Sequence, residues 1–217
     1  LGPDWSSQPW IFEGLTNNKR LEGPEGLTGK AAFLRRFGHR DALVSSAVAQ
    51  SHGRKSMPLS AYIDEAMRPR ENLSAAVEAS MNSWYLCNSN FWDELLTEFD
   101  RPCLLGGLHG ALSFGVGSSG SGLPFHRHGA AFFEVTQGRK RWFFLPSPPQ
   151  FDVQAASQTS SLKWFASLWG QSAMTRRAFD AGAGSSMPLP KGVLSCMQGP
   201  GETLYIPEGW WHATLNI

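Results

Sequence analysis

Three histidines carry the most distinctive chemistry in this sequence. His126 and His128 stand two residues apart at the start of a predicted strand, and His212 lies far downstream, after Trp210 and Trp211. Because alternate side chains of a strand share a face, His126 and His128 point the same way and can chelate one metal ion. His212 is the natural third ligand, since it follows a predicted strand and a turn. Three imidazoles with open coordination positions suit a catalytic Fe, Zn, Cu or Ni site more than a structural one.

The simpler alternative for the pair is two solvated histidines in a glycine-rich turn. Two observations argue against it, namely the bulky aromatic pair beside His212 and the strand that precedes it. The other histidines, His39, His52 and His109, each stand alone in the sequence and predict no site.

A charged pair follows the first two histidines. If residues 132–142 form one regular strand, Glu134, Lys140 and Trp142 face one side of it. Charges aimed into an aromatic barrel are costly unless they bind something, so Lys140 is expected to hold a carboxylate, while Glu134 binds the metal or neutralises Lys140. The alternative is that this face is outward and both charges are solvated, which the apolar Phe143 and Leu145 on the other face also permit.

Length and composition narrow the class of protein. The 217 residues fit one domain, 1–217, with an N-terminal elaboration at 1–103 and a β-rich core at 104–217. The 19 basic residues nearly balance the 18 acidic ones and form no long run, which disfavours a nucleic-acid partner. The three cysteines lack a zinc-finger spacing. No apolar run reaches the roughly 18 residues of a membrane span.

The pattern of residues predicts helices and strands in the first half and mainly strands in the second. Thr28 is expected to cap a helix that ends at Gly38, Ser60 a second helix and Asn90 a third, with a polar turn at 52–55. From Leu104 onward β-type runs dominate, at 111–116, 124–128, 132–145 and 203–217, with one helix at 161–169 and a flexible loop at 181–192. We therefore predict a mainly β fold with an α/β N-terminal layer and a barrel or double sheet.

These motifs resemble the JmjC (jumonji) family, most closely its small hydroxylase-type members. The similar segments are His126-x-His128, Gly138-x-Lys140-Arg141-Trp142-x-x-x-Pro146 and Gly201-Glu202-Thr203-Leu204-Tyr205-Ile206-Pro207-x-x-Trp210-Trp211-His212. The resemblance implies a double-stranded β-helix of the cupin or jelly-roll type that holds Fe(II) and 2-oxoglutarate. It also implies that His126 and His212 are metal ligands and that Lys140 binds the distal carboxylate of 2-oxoglutarate.

The sequence departs from the family pattern at two positions. His128 stands where the family has an aspartate or glutamate, and Leu123 stands where some hydroxylases place a threonine that bonds the cosubstrate. Three neutral imidazoles leave the metal's charge uncompensated. Another divalent metal, such as Zn, Ni or Cu, then competes more strongly with Fe(II) for the site. Glu134 offers a repair, since a glutamate on the strand after His-x-His is typical of other cupin metal sites.

Two functions are therefore compatible with the sequence. The first is an Fe(II)/2-oxoglutarate-dependent oxygenase that hydroxylates a protein side chain. The second is a non-catalytic JmjC-fold adaptor or regulatory protein with an altered metal site. A histone-tail demethylase is disfavoured, since the sequence has no cysteine and histidine cluster of the PHD type and no basic patch.

The resemblance also bears on partners and location. It implies a protein substrate or protein partner and the lumen of the endoplasmic reticulum, with which the glycosylation sequon Asn72-Leu73-Ser74 agrees; the other reading is a soluble intracellular protein. Family members have at least one more barrel strand after the position of Ile217, so we expect the core to be truncated at its C-terminal end. Because dimerisation elements often lie there, the sequence leaves a homodimer open.

Overall fold

The computed structural model describes residues 4–46, 53–68, 73–87, 93–105, 110–168 and 189–217. The strands within these ranges are β1 (Trp10–Glu13), β2 (Asp41–Ser46), β3 (Arg54–Pro58), β4 (Trp84–Tyr85), β5 (Ala131–Glu134), β6 (Lys140–Leu145), β7 (Leu194–Gln198), β8 (Glu202–Ile206) and β9 (Trp211–Asn216). The α-helices are α1 (Lys30–Phe37), α2 (Leu59–Ala66), α3 (Leu73–Ser80), α4 (Asp93–Leu96), α5 (Val153–Ser157) and α6 (Ser161–Ser167). None of the described helices is long and apolar enough to cross a membrane.

The described strands form three antiparallel sheets of three strands each. The order is β3-β2-β4 in the N-terminal half, β1-β8-β5 in a second sheet and β7-β6-β9 in a third. The N-terminal strand β1 thus joins the sheet of the C-terminal half. The fold is mainly β with a helical layer, as the sequence predicts, and this arrangement is compatible with a jelly-roll.

The second and third sheets pack face to face. Trp142 and Phe144 on β6 meet Leu204 and Ile206 on β8, and all four are at most 3% exposed. Phe133 on β5 packs against this cluster. The inner faces of two sheets therefore enclose an apolar core, as in a β-sandwich.

The opposite face of β6 is buried as well. Phe143 and Leu145 are fully buried in a cluster with Leu215 of β9 and with Trp164 and Phe165 of α6. The rings of Phe143 and Trp164 lie 5.0 Å apart in an edge-to-face arrangement. A strand buried on both faces reads as a continuous apolar run, which explains why the sequence of β6 does not show which face is inward.

The N-terminal layer has its own core. Phe33 and Phe37 of α1 and Leu59 and Ile63 of α2 pack on Val44 of β2, and all are at most 3% exposed. The sheet of this layer reaches the sandwich through the bridge between Leu86 and Val116.

Several predicted boundaries were wrong. The run 132–145 is two strands, because a turn at 135–139 contains Gly138 at a φ of 70°, a conformation that favours glycine. Residues 54–55 belong to β3, where Lys55 pairs with Val44, and not to a turn. In residues 111–116 the structure has a single bridge, at Val116, in place of a strand.

The predicted caps also differ. Helix α1 begins after Gly29, because the hydroxyl of Thr28 donates to the carbonyl of Leu21. Helix α2 begins one residue before Ser60, after Pro58. Asn90, most of the predicted loop 181–192 and residue 169 of the predicted helix 161–169 lie outside the described residues.

Candidate metal centre

Backbone pairing brings His126 to His212. The N–H of His126 donates to the carbonyl of His212 over 3.0 Å, and the N–H of His212 donates back over 2.9 Å. This isolated antiparallel bridge places His126 beside β9. The side chain of His212 points to the inner face of β9, as do those of Thr214 and Asn216. Two residues after His126, His128 adds a third imidazole from the solvent side.

The three side chains converge on one point. Their ligand nitrogens all lie within 4.8 Å of one another, and the Nε2 atoms of His128 and His212 are 3.1 Å apart. Nitrogens that bind one ion at about 2.1 Å lie roughly 3.0–3.4 Å apart in octahedral or tetrahedral geometry. The spacing therefore suits a shared divalent metal.

The second nitrogen of each ring faces a backbone carbonyl. The Nδ1 atoms of His126, His128 and His212 lie 2.7, 2.7 and 3.0 Å from the carbonyls of Pro124, Gly129 and Trp210. An Nδ1–H that donates to a carbonyl leaves the lone pair on Nε2, which is how second partners orient metal-binding histidines. Two such lone pairs 3.1 Å apart repel each other, and a cation between them relieves the repulsion. The residues therefore fit a metal ion.

Burial keeps two of the ligands neutral. Desolvation lowers the pKa of His126 to about 4 and that of His212 to about 3, and the charge that each ring would place on the other histidines adds to the effect. His212 is 1% exposed and His128 is exposed. A metal ligand must be unprotonated, so burial prepares these two imidazoles for a cation at neutral pH.

The structure does not bring Glu134 to the histidines. One of its carboxylate oxygens accepts from Thr16 and Asn18, each over 2.8 Å, and the other is buried without a hydrogen-bond partner among the described residues. Burial raises the pKa of this carboxyl. The neighbour Phe133 takes the inward position, with its ring 6.2 Å from that of His128. The expectation that Glu134 shares a face with Lys140 was wrong, because the turn between β5 and β6 resets the alternation.

Lys140 lies on the inner face of β6, on the same side as His212. Its ammonium donates to the hydroxyl of Tyr85 over 3.1 Å and lies 5.5 Å from the ring of Trp142. No carboxylate of the described residues forms an ion pair with it. The alternative in which Glu134 and Lys140 both face solvent is therefore wrong for the lysine.

Trp142 separates the lysine from the histidines. In the β6–β9 register Lys140 pairs with Asn216, Trp142 with Thr214, and Phe144 with His212. The lysine backbone is thus roughly 13 Å from that of His212 along the strands. The indole N–H of Trp142 donates to the fully buried Gln198 over 2.8 Å, which fixes the plane of the ring.

Two polar groups of the site escape the sequence analysis. The hydroxyl of Tyr85 belongs to the N-terminal layer, and no local pattern links it to Lys140. Thr214 has a usable signal, because it lies two residues after His212 and shares its face. Its hydroxyl accepts from the N–H of Leu123 over 2.9 Å, its one hydrogen bond within the described residues. Its own O–H is therefore left to donate.

A cavity of about 1470 Å³ connects these groups. Its lining includes the three histidines, Lys140, Tyr85 and Thr214. Metal ligands at one end and a part-buried ammonium at the other suit a small molecule that carries two anionic groups.

An antiparallel double sheet with three histidines at its mouth that could hold a metal ion is compatible with a jelly-roll fold of the JmjC type. The chain belongs to the JmjC domain family. JmjC domain-containing protein 8 of Homo sapiens is 32% identical over 213 residues, which cover 97% of this chain and 72% of that protein. The Mus musculus protein of the same name is 30% identical, with 97% and 71% covered.

The similarity to a more distant relative covers about half of this chain. The bifunctional arginine demethylase and lysyl-hydroxylase psr-1 of Caenorhabditis elegans is 27% identical over 113 residues, which are 48% of this chain and 26% of that protein. No protein-family model matches the chain.

Proposed function

We propose that this protein is an Fe(II)/2-oxoglutarate-dependent oxygenase that hydroxylates a protein side chain. One observation carries the proposal: Lys140, an ammonium without a carboxylate partner among the described residues, shares the inner face of one sheet with His212. A part-buried charge without a counter-ion is costly unless a ligand supplies one. The JmjC family and a relative named as a lysyl-hydroxylase support the reaction class.

His126, His128 and His212 would hold the metal through their Nε2 atoms. When bound, Fe(II) supplies oxygen activation coupled to the decarboxylation of 2-oxoglutarate. The protein's part is to fix the three imidazoles by their carbonyl partners, so that little reorganisation is needed when the ion enters. Burial of His212 and the ring of Phe133 keep water from one side of the site.

Lys140 would bind the distal carboxylate of 2-oxoglutarate. Tyr85 orients the ammonium and can donate its own hydrogen to the same carboxylate. Thr214 takes over the role that Leu123 cannot fill, because its hydroxyl hydrogen is available and it lies midway between Lys140 and His212 in the register. Trp142 forms the apolar floor under the carbon chain.

His128 decides which metal is held most tightly. An all-imidazole site retains the full charge of the ion and ranks divalent metals more by the Irving–Williams order than a site with a carboxylate does. The dianionic cosubstrate compensates that charge when it binds. We therefore propose that 2-oxoglutarate and Fe(II) bind with strong mutual dependence.

The test is 2-oxoglutarate decarboxylation by Fe(II)-loaded protein in air, with succinate as the readout. Turnover should be lost in His212→Ala and should fall at least about tenfold in Lys140→Ala, since a charge-assisted contact contributes about 1.5–3 kcal/mol. Lys140→Arg keeps the charge and should retain part of the activity. Wild-type protein that binds metal and 2-oxoglutarate but forms no succinate would contradict the proposed oxygenase function.

The second candidate function is a non-catalytic adaptor. His128 and Leu123 favour it, because each replaces a residue that active relatives of the hydroxylase type use. In that case the protein binds a partner through the same fold, and metal occupancy does not change with 2-oxoglutarate. Absence of both metal and 2-oxoglutarate binding would support the adaptor function and rule out the oxygenase function.

We further propose that residues 1–217 act as one JmjC domain and that the full-length protein resides in the lumen of the endoplasmic reticulum. The sequon at Asn72 supports the location. Endoglycosidase H treatment of the protein from cells should shift its mobility, and Asn72→Gln should remove the shift. Sedimentation of the full-length protein tests whether it forms a homodimer.

A further inference from the structure

The cavity has an apolar wall at the end where the three histidines lie. Phe133 on β5 forms part of this wall, with its ring 6.2 Å from that of His128 and 6.5 Å from that of His212. The ring of Trp142, which also lines the cavity, lies 5.0 Å from that of Phe133. A side chain that reaches the histidines from within the cavity therefore lies beside aromatic rings.

One buried amide fixes the two residues of this apolar wall. Gln198 is fully buried, and its side-chain oxygen accepts from the indole N–H of Trp142 over 2.8 Å. Its side-chain nitrogen donates to the backbone carbonyl of Phe133 over 2.9 Å and to that of Glu202 over 2.7 Å. Because both N–H groups of the amide are used, Gln198 offers no further donor to a polar ligand. The wall is thus held by hydrogen bonds but presents carbon atoms to the cavity.

The histidine end of the cavity has no acidic side chain among the described residues. Glu134 is the one acidic residue of the described lining, and its carboxylate is turned toward Thr16 and Asn18. Glu208 lies in the turn that is hydrogen-bonded to the backbone of His128, but it is exposed and outside the lining. A cationic side chain at the histidines would therefore find no carboxylate of this part of the chain as a counter-ion.

The charge at this end is instead positive. Arg127 stands between two of the histidines in the sequence, is exposed at the lining, and lies 5.3 Å from the ring of Trp211. A divalent ion held by three neutral imidazoles keeps its full charge, and the dianionic cosubstrate would be shared between that ion and Lys140. One unit of positive charge is then left over. A lysine or arginine side chain would meet this charge without a counter-ion, which is costly.

The aromatic faces do not reverse this preference. The ammonium of Lys140 already lies 5.5 Å from the ring of Trp142, so that ring has a cation beside it. Phe133 offers only the weaker attraction of a phenyl ring. That attraction is smaller than the cost of placing an uncompensated charge next to a divalent ion.

We propose that the side chain hydroxylated by this protein is uncharged and apolar, and that lysine and arginine are rejected. This inference rests on the proposed function, because it takes the metal ion and 2-oxoglutarate as bound. Phe133 sets the specificity, since it contacts the apolar side chain beside the histidines. We expect this protein to share hydroxylation, but not the lysine side chain, with the relative named as a lysyl-hydroxylase.

The test compares two capped amino acids, Nα-acetyl-norleucine amide and Nα-acetyl-lysine amide. Their side chains have similar lengths and differ by one positive charge. Each is titrated into protein loaded with 2-oxoglutarate and Zn(II), which is redox-inactive and allows no turnover, and saturation-transfer NMR measures its binding. The norleucine probe should bind at least about tenfold more tightly than the lysine probe, with the strongest saturation at its terminal methyl group.

Variants of Phe133 locate the binding. Phe133→Asp places a carboxylate beside the histidines and should bind the lysine probe at least about fivefold more tightly than wild type does. Phe133→Asn adds no charge, so it should weaken the norleucine probe without favouring the lysine probe. Phe12→Asp adds the same charge to β1 outside the cavity lining and should leave the preference of the wild type unchanged. Circular dichroism and the zinc content confirm that each variant folds and is loaded.

Equal binding of the two probes by the wild type, tighter binding of the lysine probe, or binding of neither would overturn the inference. An equal gain for the lysine probe in Phe133→Asp and Phe12→Asp would also contradict it.

Succinate formation by the Fe(II)-loaded protein separates this inference from the proposed function. Protein that forms succinate but does not prefer the norleucine probe is an oxygenase without the apolar specificity. Protein that prefers the norleucine probe but forms no succinate contradicts the oxygenase and keeps the apolar preference as a property of the adaptor. Wild-type protein that takes up no Zn(II) contradicts the metal centre, and the inference with it.

Discussion

At the scale of single residues, His128 differs from the other two histidines in its exposure as well as in its chemistry. His126 and His212 are fixed by a backbone bridge and are largely withdrawn from water, whereas His128 is exposed. The position of the missing carboxylate is therefore the most solvated of the three. A neutral imidazole there leaves metal charge that only water or a bound anion can offset.

Restoring the carboxylate should change the metal preference. In His128→Asp one unit of the metal's charge is neutralised by an oxygen ligand, which suits Fe(II) better relative to Cu(II), Ni(II) and Zn(II). Competition titrations should show the ratio of Zn(II) to Fe(II) affinity falling about tenfold or more. His128→Asn, without the charge, is the matched control. An unchanged ratio in His128→Asp would mean that residue 128 does not contact the ion.

The lowered pKa values of His126 and His212 predict how stability depends on pH. Above the ordinary histidine pKa of about 6.5 both rings are neutral in the folded and unfolded chains, and there is no penalty. Below it the unfolded chain takes up protons that the folded chain cannot, so the free energy of unfolding should fall as the pH drops from about 6.5 toward about 4.

Urea denaturation of the metal-free protein at a series of pH values measures this dependence. Glu134 acts in the opposite direction, because its raised pKa favours the folded state as the pH falls. The His126→Asn/His212→Asn variant removes the histidine contribution and leaves that of Glu134. A wild-type curve parallel to that of the variant between pH 6.5 and 4 would contradict the assignment of both rings as buried and neutral.

At the scale of elements, the two faces of β6 have different roles, because successive side chains alternate between the faces. Lys140, Trp142 and Phe144 face the sandwich interior, while Phe143 and Leu145 face α6. The inner face therefore carries the chemistry and the outer face carries the packing. This separation makes stability and ligand binding independently testable.

Phe143→Ala should destabilise the fold and spare the site. Phe143 is fully buried and its ring packs 5.4 Å from that of Phe165, so its truncation should cost about 3–5 kcal/mol in the free energy of unfolding. Metal affinity below the unfolding transition should remain within about twofold of wild type. Leu194→Ala, at an exposed position of β7, should leave both unchanged. A large loss of metal affinity with little loss of stability would reverse the assignment of the two faces.

The sequence predicts the meeting of the histidines better than it predicts their surroundings. The alternation rule places His126 with His128, and the aromatic pair before His212 marks the facing strand. The same rule gives the wrong face for Glu134. The rule assumes an unbroken strand, whereas five residues of turn separate β5 from β6. A local pattern detects periodicity but not the point at which the chain resets it.

Contacts between distant layers are harder still. Tyr85 reaches Lys140 because β4 joins the N-terminal sheet and the bridge at Leu86 pins that sheet to Val116. Tyr62, fully enclosed between them, accepts from the N–H of Leu86 and donates to the carbonyl of Val116. Tertiary pairing over such separations leaves no periodic signal in the sequence.

At the scale of the whole molecule, the site draws on both halves of the chain. The sandwich supplies the histidines and Lys140, and the N-terminal layer supplies Tyr85, Arg54 and Arg101 to the same cavity. Charge that is balanced over the chain is thus mostly positive among the described residues that line the cavity, where a metal and a dicarboxylate would meet. The metal, and with it the proposed reaction, depends first on the three histidines.

The most direct test of that central claim is a calorimetric titration of Fe(II) into metal-free protein under anaerobic conditions. We predict one ion per chain, with binding lost in His212→Ala and unchanged in His39→Ala, whose histidine is exposed and remote from the cluster. Circular dichroism of both variants confirms that they fold. Absence of binding by the wild type, or binding that survives His212→Ala, would contradict the account.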